Sequence, residues 1–253
     1  NFKFQLQNFD LNTNQSLFWN LATGPEGMFI ENSDINWKAA KLDIHKYIIE
    51  LSDSIDVNRF NGILYVNDKP QVLSAPPHHT TVSEVFQYTI QVEDKNLFNP
   101  ITLKKEEHVQ YKLTKHPKKM LLNPPTIIWQ PSIEDIGVHN ISMEISDGLE
   151  IISHNFSLLV NDTPKIISSD SLRVQVGDTL RHILQAEDKN TNSVLTYSIR
   201  SELKNLMLNA QTGEIIWIPE KEDLGLQEIT VNVTDGFSSN TEGKNIQILV
   251  YSL

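Results

Sequence analysis

The side chains of this 253-residue chain whose types and spacing could support chemistry are mainly oxygen donors. Asn67-Asp68 and Asn161-Asp162 stand 94 residues apart, and so do Asp94-x-Asn96 and Asp188-x-Asn190. Carboxylate and amide oxygens are the ligands of hard cations, which gather six to eight of them. Two other groupings are His78-His79 with Glu84, and the adjacent carboxylates Glu134-Asp135 and Glu222-Asp223. The histidines fall in a polar stretch, HHTTVSE, that reads as a solvated loop. The carboxylate pairs precede a Gly at a turn, where they cap the turn rather than perform acid-base work. No G-x-S-x-G, H-E-x-x-H or G-x-x-x-x-G-K occurs, so no catalytic residue is assigned.

These donors are placed by a duplication. Ile127 to Gly148, IIWQPSIEDIGVHNISMEISDG, recurs as Ile215 to Gly236, IIWIPEKEDLGLQEITVNVTDG, with Trp, Gly and Asp at a constant offset of 88. A fixed period names the folding unit before any strand is assigned. A diverged third copy comes first in the chain. Met28 lies nine residues before Trp37, Met120 nine before Trp129 and Met207 ten before Trp217, so one methionine position is expected in three repeats. The repeats divide as 1–69, 70–163 and 164–253.

Within each repeat the residues two, four and six before the terminal Asp (Asp53, Asp147, Asp235) are apolar and those between are mostly polar. That period is a strand with one face in a core. Asp147-Gly148 and Asp235-Gly236 supply the positive φ of tight hairpins. Asp53 is followed by Ser54, so the first hairpin is expected to have a longer or different loop, with its second strand at Gly62 to Asn67. A Trp at one position per repeat (Trp37, Trp129, Trp217), with its Met, reads as core filler between two sheets. Pro70 precedes Asp94 by 24 residues and Pro164 precedes Asp188 by 24, whereas Asp10, their apparent counterpart, has only nine residues ahead of it, so the first repeat is expected to lack its opening strand. An unpaired edge of that kind invites strand addition from another chain. The links around Pro70 and Pro164 are short and have no Gly/Ser-rich stretch, which expects domains held end to end.

Lys plus Arg number 21 against 32 Asp plus Glu, a net charge of -11. This excludes binding driven by neutralising phosphates, and so nucleic acid and anionic membrane surfaces. The middle repeat carries Lys104, Lys105, Lys115, Lys118 and Lys119 in a longer excursion, read as a solvated loop. There are no cysteines, hence no disulfide frame and no thiolate site. No run of 18 apolar residues exists, so this segment is not expected to insert into a membrane.

On these motifs the chain resembles bacterial cadherin-like immunoglobulin domains of the dystroglycan type. The third repeat carries the pattern best: Ala186-Glu187-Asp188, Leu195-Thr196-Tyr197-Ser198-Ile199, Met207, Thr212-Gly213-Glu214-Ile215-Ile216-Trp217-Ile218-Pro219, Asp223-Leu224-Gly225 and Asp235-Gly236. The middle repeat has Asn123-Pro124-Pro125 where Thr-Gly is expected, and the first lacks both the Pro after Trp37 and D-x-G. The resemblance implies an all-β chain of three tandem Ig/cadherin-like antiparallel β-sandwich domains. Cadherins hold calcium between domains, which makes Asp68, Asp94, Asn96, Asp162, Asp188 and Asn190 candidate ligands. Tyr65 and Leu159 stand where the cadherin linker has an Asp, so the site is expected to be partial or absent, with no cofactor.

The functional expectation is a non-enzymatic adhesive or spacer segment of a larger exported protein, at the cell surface or in the periplasm, contacting other proteins or further domains of its own polypeptide. Two alternatives stand beside it: a carbohydrate-binding accessory region of a secreted enzyme, which needs an outward Trp for its glycan, and a structural subunit of a cell-envelope machine, which needs an exposed apolar patch.

Overall fold

The computed structural model of the chain describes residues 1–7, 16–95, 109–190, 193–237 and 242–252. Asn96, Lys104 and Lys105 lie outside them. The regular structure of the described residues is β-strand apart from two single-turn 3-10 helices at Ile133–Asp135 and Lys221–Asp223.

The first repeat forms two three-stranded sheets. One has β1 (Phe2–Gln5), β3 (Phe29–Glu31) and β4 (Asp34–Trp37) in the order β1-β4-β3; the other has β2 (Phe18–Thr23), β5 (Asp43–Ser52) and β6 (Val57–Val66) in the order β2-β5-β6. The middle repeat adds a two-stranded sheet of β7 (Gln71–Val72) and β10 (Val92–Glu93). Its other strands are β8 (His79–Thr81), β9 (Phe86–Thr89), β11 (Gln110–Lys115), β12 (Leu121–Asn123), β13 (Thr126–Trp129), β14 (Gly137–Ser146) and β15 (Ile151–Asn161). They form the sheets β11-β14-β15-β8 and β12-β13-β9.

The last repeat reproduces all three sheets. They are built from β16 (Lys165–Ile166), β17 (Ser171–Gln175), β18 (Leu180–Ile183), β19 (Ala186–Glu187), β20 (Thr196–Arg200), β21 (Met207–Leu208), β22 (Glu214–Trp217), β23 (Gly225–Thr234) and β24 (Glu242–Tyr251). The sheets are β16-β19, β17-β24-β23-β20 and β18-β22-β21. β8 runs parallel to β15 and β17 parallel to β24, whereas every other pair whose register is described is antiparallel, so the sandwich is mixed at one edge. The stretch containing His78 and His79 is therefore not a simple solvated loop. Its Thr80 and Thr81 are buried in strand β8, because the edge of β15 needs a ladder partner.

Compactness divides the chain into two units, Asn1–Ser74 with Ile90–Lys112 and Met143–His154, and Ala75–Thr89 with Leu113–Ser142 and Asn155–Leu253. In the first unit, Leu6, Met28, Ile35, Trp37 and Ile49 form a small core, with Trp19, Leu21 and Tyr47 packed around it. In the second, the alternation of β23 puts Ile229, Val231 and Val233 into a larger core with Trp217, Ile166, Leu184 and Tyr197. Trp37, Trp129 and Trp217 are 5%, 1% and 1% exposed, as expected of core fillers.

The methionine expectation is corrected. Met28 and Met120 are buried, but Met207 is 61% exposed. Met207 pairs with Ile216, as Leu121 pairs with Ile128 and Phe29 with Asn36, so it occupies the next strand position along, on the outer face. Leu206, packed on the core, takes the inner place.

The first hairpin is corrected too. β5 and β6 pair from Ser52 with Val57, leaving the loop 53–56, the same length as the loop 147–150 between β14 and β15. Ser54 adopts φ 79, close to the φ 92 of Gly148, and Asp53 Oδ1 accepts the N–H groups of Ile55 and Asp56 at 2.9 and 2.7 Å. An Asp that bonds its own turn sets the loop, and the residue after it accepts the left-handed strain.

Candidate functional site at the repeat junctions

Each junction follows from one local pattern. The last strand of a repeat leads into Asn-Asp, one residue follows, and the buried Pro70 or Pro164 sends the chain into the next strand without donating to a ladder. At the second junction, within the second compact unit, Asn161 is 1% exposed. Its Nδ2 donates to Asp235 Oδ2 and, at 2.7 Å, to the Asp162 carbonyl. Asp235 Oδ1 accepts the Phe237 N–H at 2.9 Å, so one carboxylate both shapes its hairpin and holds the linker.

Asn190 closes the other side. Its Oδ1 accepts the Asp162 N–H at 2.6 Å, its Nδ2 donates to the Val160 carbonyl at 3.1 Å, and its own N–H goes to Asp188 Oδ1 at 2.7 Å. The His79 ring meets the Phe237 ring at 4.5 Å. A shallow cleft of about 600 Å³ opens beside these groups, lined in part by Val138, Leu159, Asn161, Asn190, Val194 and Phe237.

The first junction, inside the first compact unit, repeats the central bond: Asn67 Nδ2 donates to Asp147 Oδ2 at 2.7 Å. Asp147 Oδ1 accepts the N–H groups of Leu149 and Glu150 at 2.8 and 2.7 Å. Burial pushes this carboxyl upward, but the bonds from Glu150, Asn67 and Leu149 outweigh it and leave the pKa below its ordinary value. Lys95 Nζ stands 3.9 Å from Asp68, and Asp94 is half-buried.

Of the candidate ligands, Asp162, Asp188 and Asn190 come together, and Asp68 and Asp94 lie at the first junction. Asp235 and Asp147, together with Asn161 and Asn67, were not among the candidates. In sequence the two Asp read as hairpin residues; the signal was the recurrence of Asn-Asp in both links alongside Asp-Gly in the repeat each link enters or leaves.

Calcium does not fit as a full cage. The buried Oδ1 of Asn67 and Asn161 and Oδ2 of Asp188 have no donor, while the amide nitrogens and Asn190 Oδ1 are already engaged. Two donorless side-chain oxygens at the second junction fall short of the six to eight a calcium ion takes, and suit a bridging water. Among the described residues, no group of three or more His, Cys, Asp or Glu could hold a metal ion.

The paired carboxylates are turn caps. Ser132 N–H donates to Asp135 Oδ2 and Glu220 N–H to Asp223 Oδ2, both at 2.8 Å. A further regularity was not legible in the sequence. His45 Nε2, His139 Nε2 and Gln227 Nε2 bond the carbonyls of Lys41, Asp135 and Asp223 at 3.0, 2.6 and 2.9 Å, and both histidine rings stand edge-on to their tryptophans.

No protein-family model and no curated protein matches the sequence. Among solved structures, an I-band fragment of titin, I67-I69, aligns with TM-score 0.52 at 12% identity over 95% of this chain and 89% of that one. Drosophila OTK extracellular domains 3-5 align with TM-score 0.50 at 14% identity over 99% and 91%. The fold is that of tandem immunoglobulin-like domains. An endo-fucoidan hydrolase of glycoside hydrolase family 107 also aligns, at TM-score 0.31 and 16% identity, and this chain spans 39% of its length. That likeness carries no argument about chemistry. No helix among the described residues is long and apolar enough to cross a membrane.

Proposed function

We propose that this chain is a non-enzymatic protein-contact and spacer segment of a larger exported protein, built of three immunoglobulin-like sandwiches of the cadherin-like kind with boundaries 1–69, 70–163 and 164–253. The observation that carries this reading is the junction clamp. Asn161 is buried and bonded to Asp235, and Asn190 bonds the backbone of Val160 and Asp162 on either side of Asn161. A linker tied by buried hydrogen bonds holds its neighbours in a set orientation, which is the property a spacer needs and a tethered catalytic domain does not. In this reading the chain does no chemistry of its own: Asp135 and Asp223, its most conspicuous paired acids, are engaged in turns. Export to the cell surface or periplasm accords with the immunoglobulin-like architecture.

The test is limited proteolysis of residues 162–164, read beside cross-linking of the purified chain to intact cell envelope. Protection of the linker in the native protein, its loss in Asn161→Ala, and cross-links to a defined protein partner are expected. Rapid cleavage of the unmodified linker would remove the spacer reading. Retention on polysaccharide with no protein cross-link would favour the glycan alternative, for which Trp37, Trp129 and Trp217 are all turned inward.

A further inference from the structure

The buried tryptophans of the three repeats differ in one bond, and the difference lies in a turn that carries lysines. Trp37 Nε1 donates to the Glu26 carbonyl and Trp217 Nε1 to the Lys204 carbonyl, both at 3.1 Å. Trp129 Nε1 is buried with no acceptor. Counted back from the core residues Met28, Met120 and Leu206, Lys118 stands at the place of Glu26 and Lys204, and Lys119 at the place of Gly27 and Asn205. Gly27 and Asn205 are left-handed, at φ 79 and 58, and Lys119 is not. The Met28 N–H donates to the Pro25 carbonyl at 3.1 Å and the Met120 N–H to the Pro117 carbonyl at 3.0 Å, so both close the same four-residue turn. With a positive φ at its third residue such a turn is type II. Without one it is of the type I kind, and the two differ by a half-rotation of the central peptide. In the middle repeat that rotation turns the Lys118 carbonyl away from Trp129.

Two opposed costs meet in this turn. Lys119 avoids a left-handed conformation that its side chain disfavours, and Trp129 is left with a desolvated donor that has no bond. These costs are of the same order, so the two orientations of the peptide lie within reach of a ligand that prefers one of them. Lys115, His116, Lys118 and Lys119 are exposed around the turn, on a chain of net charge -11. A shallow cleft of about 330 Å³ beside it is lined by Lys115, His116, His139 and Asn140, and the His139 ring stands edge-on to Trp129 at 5.2 Å. Asp135 is near enough to Lys119 to feel its charge, but its Oδ2 already accepts the Ser132 N–H and hydroxyl, both at 2.8 Å. The carbonyl and N–H of one trans peptide point in opposite directions. As it stands, the turn directs the Lys118 carbonyl outward, which repels an anion. Rotated, it directs the Lys119 N–H outward and the Lys118 carbonyl at Trp129.

We propose that the turn 117–120 is a two-state switch that binds a carboxylate from an acidic segment of a partner polypeptide. The ammonium groups of Lys115, Lys118 and Lys119 gather the carboxylate, and the Lys119 N–H donates to it once the peptide rotates. The same rotation gives Trp129 its missing acceptor. Carboxylate binding and the indole bond favour one orientation of one peptide, so each strengthens the other. The first and last repeats hold the rotated state without a ligand, through Gly27 and Asn205. The first has Gly24-Pro25-Glu26-Gly27 at this turn and no lysine in it. Of the three turns, only the middle one joins a lysine cluster to an unbonded tryptophan. This rests on the protein-contact reading and names the chemistry of the partner.

The experiment titrates a hexaglutamate peptide into the full chain at low ionic strength, where surface charge is least screened, and follows the Trp129 indole N–H resonance. Saturable binding with a downfield movement of that resonance is expected, and a hexaglutamine peptide should move nothing. Lys119→Gly and Lys119→Ala remove the same charge at an exposed position, but only glycine enters the left-handed region freely. The glycine variant should show the moved resonance before any peptide is added. It should also bind hexaglutamate about fivefold more tightly than the alanine variant, the factor set by the left-handed penalty. Binding without movement of the Trp129 resonance, equal affinities of the two variants, or no saturation at millimolar peptide would each overturn the proposal. Movement produced by inorganic phosphate at matched ionic strength, and not by the peptide, would assign the turn to a free anion and overturn the protein partner. None of these results touches the proteolysis of the junction, which tests the spacer reading separately.

Discussion

The Asn161 side-chain amide donates to the Asp235 carboxylate, and the Asn67 amide does the same to Asp147, across 74 and 80 residues of sequence. The same bond at two junctions makes it a property of the repeat. Replacing Asn161 by Ala leaves Oδ2 of the half-buried Asp235 without the amide donor, and should lower unfolding free energy by about 1–3 kcal/mol. Asn67→Ala should cost less, because Asn67 is only half-buried. Urea denaturation of the two variants, compared with the parent, measures both.

The two methionine environments separate cleanly. Met120→Ala empties a fully packed position and should cost about 2–5 kcal/mol. Met207→Ala removes an exposed side chain and should stay within about 0.5 kcal/mol. Equal losses would restore the equivalence that the spacing from tryptophan suggests.

Ser54 holds a left-handed conformation that Gly148 and Gly236 adopt in the other hairpins. Ser54→Gly should raise stability by about 1 kcal/mol, because an L side chain is strained there. Gly148→Ser should lower it by a similar amount. Melting temperatures of the pair test the sign.

Acid should weaken the protein through Asp135 and Asp147. The Ser132 backbone N–H, chiefly, holds the Asp135 carboxyl below its ordinary value against the opposing effect of burial. A folded pKa below the unfolded one contributes stability fully present above the unfolded value and lost as pH falls through the folded one. Melting temperature should therefore begin to drop near pH 4, about where an unfolded Asp titrates. In Asp135→Asn that drop should be shallower; an unchanged slope would assign it to other groups.

Calcium should change little. With too few donorless oxygens for a cage, millimolar calcium should move the melting temperature by less than about 2 °C, the size of a weak-site effect. A chelator-reversible rise of several degrees would show that junction carbonyls and water complete the shell.

The sequence by itself determined the repeat, the all-β class, the inward tryptophans and the two Asp-Gly hairpins, though not the first hairpin's loop, because these rest on periods and turn chemistry that are local. The offset of 88 and the alternation before Asp147 and Asp235 required no knowledge of what lies across the sheet. It also located the link oxygens, but not their partners.

Tertiary structure alone decided three things. Asn161 meets Asp235 only because β15 and the β23 hairpin end at the same place. Met207 faces out because its partner across the ladder is Ile216, a register that spacing from Trp217 does not fix. The parallel pairings of β8 and β17 came from edges that needed partners. Each is a contact between residues far apart in the chain, chosen by which backbone groups and side-chain oxygens still lacked a bond once the local elements had formed.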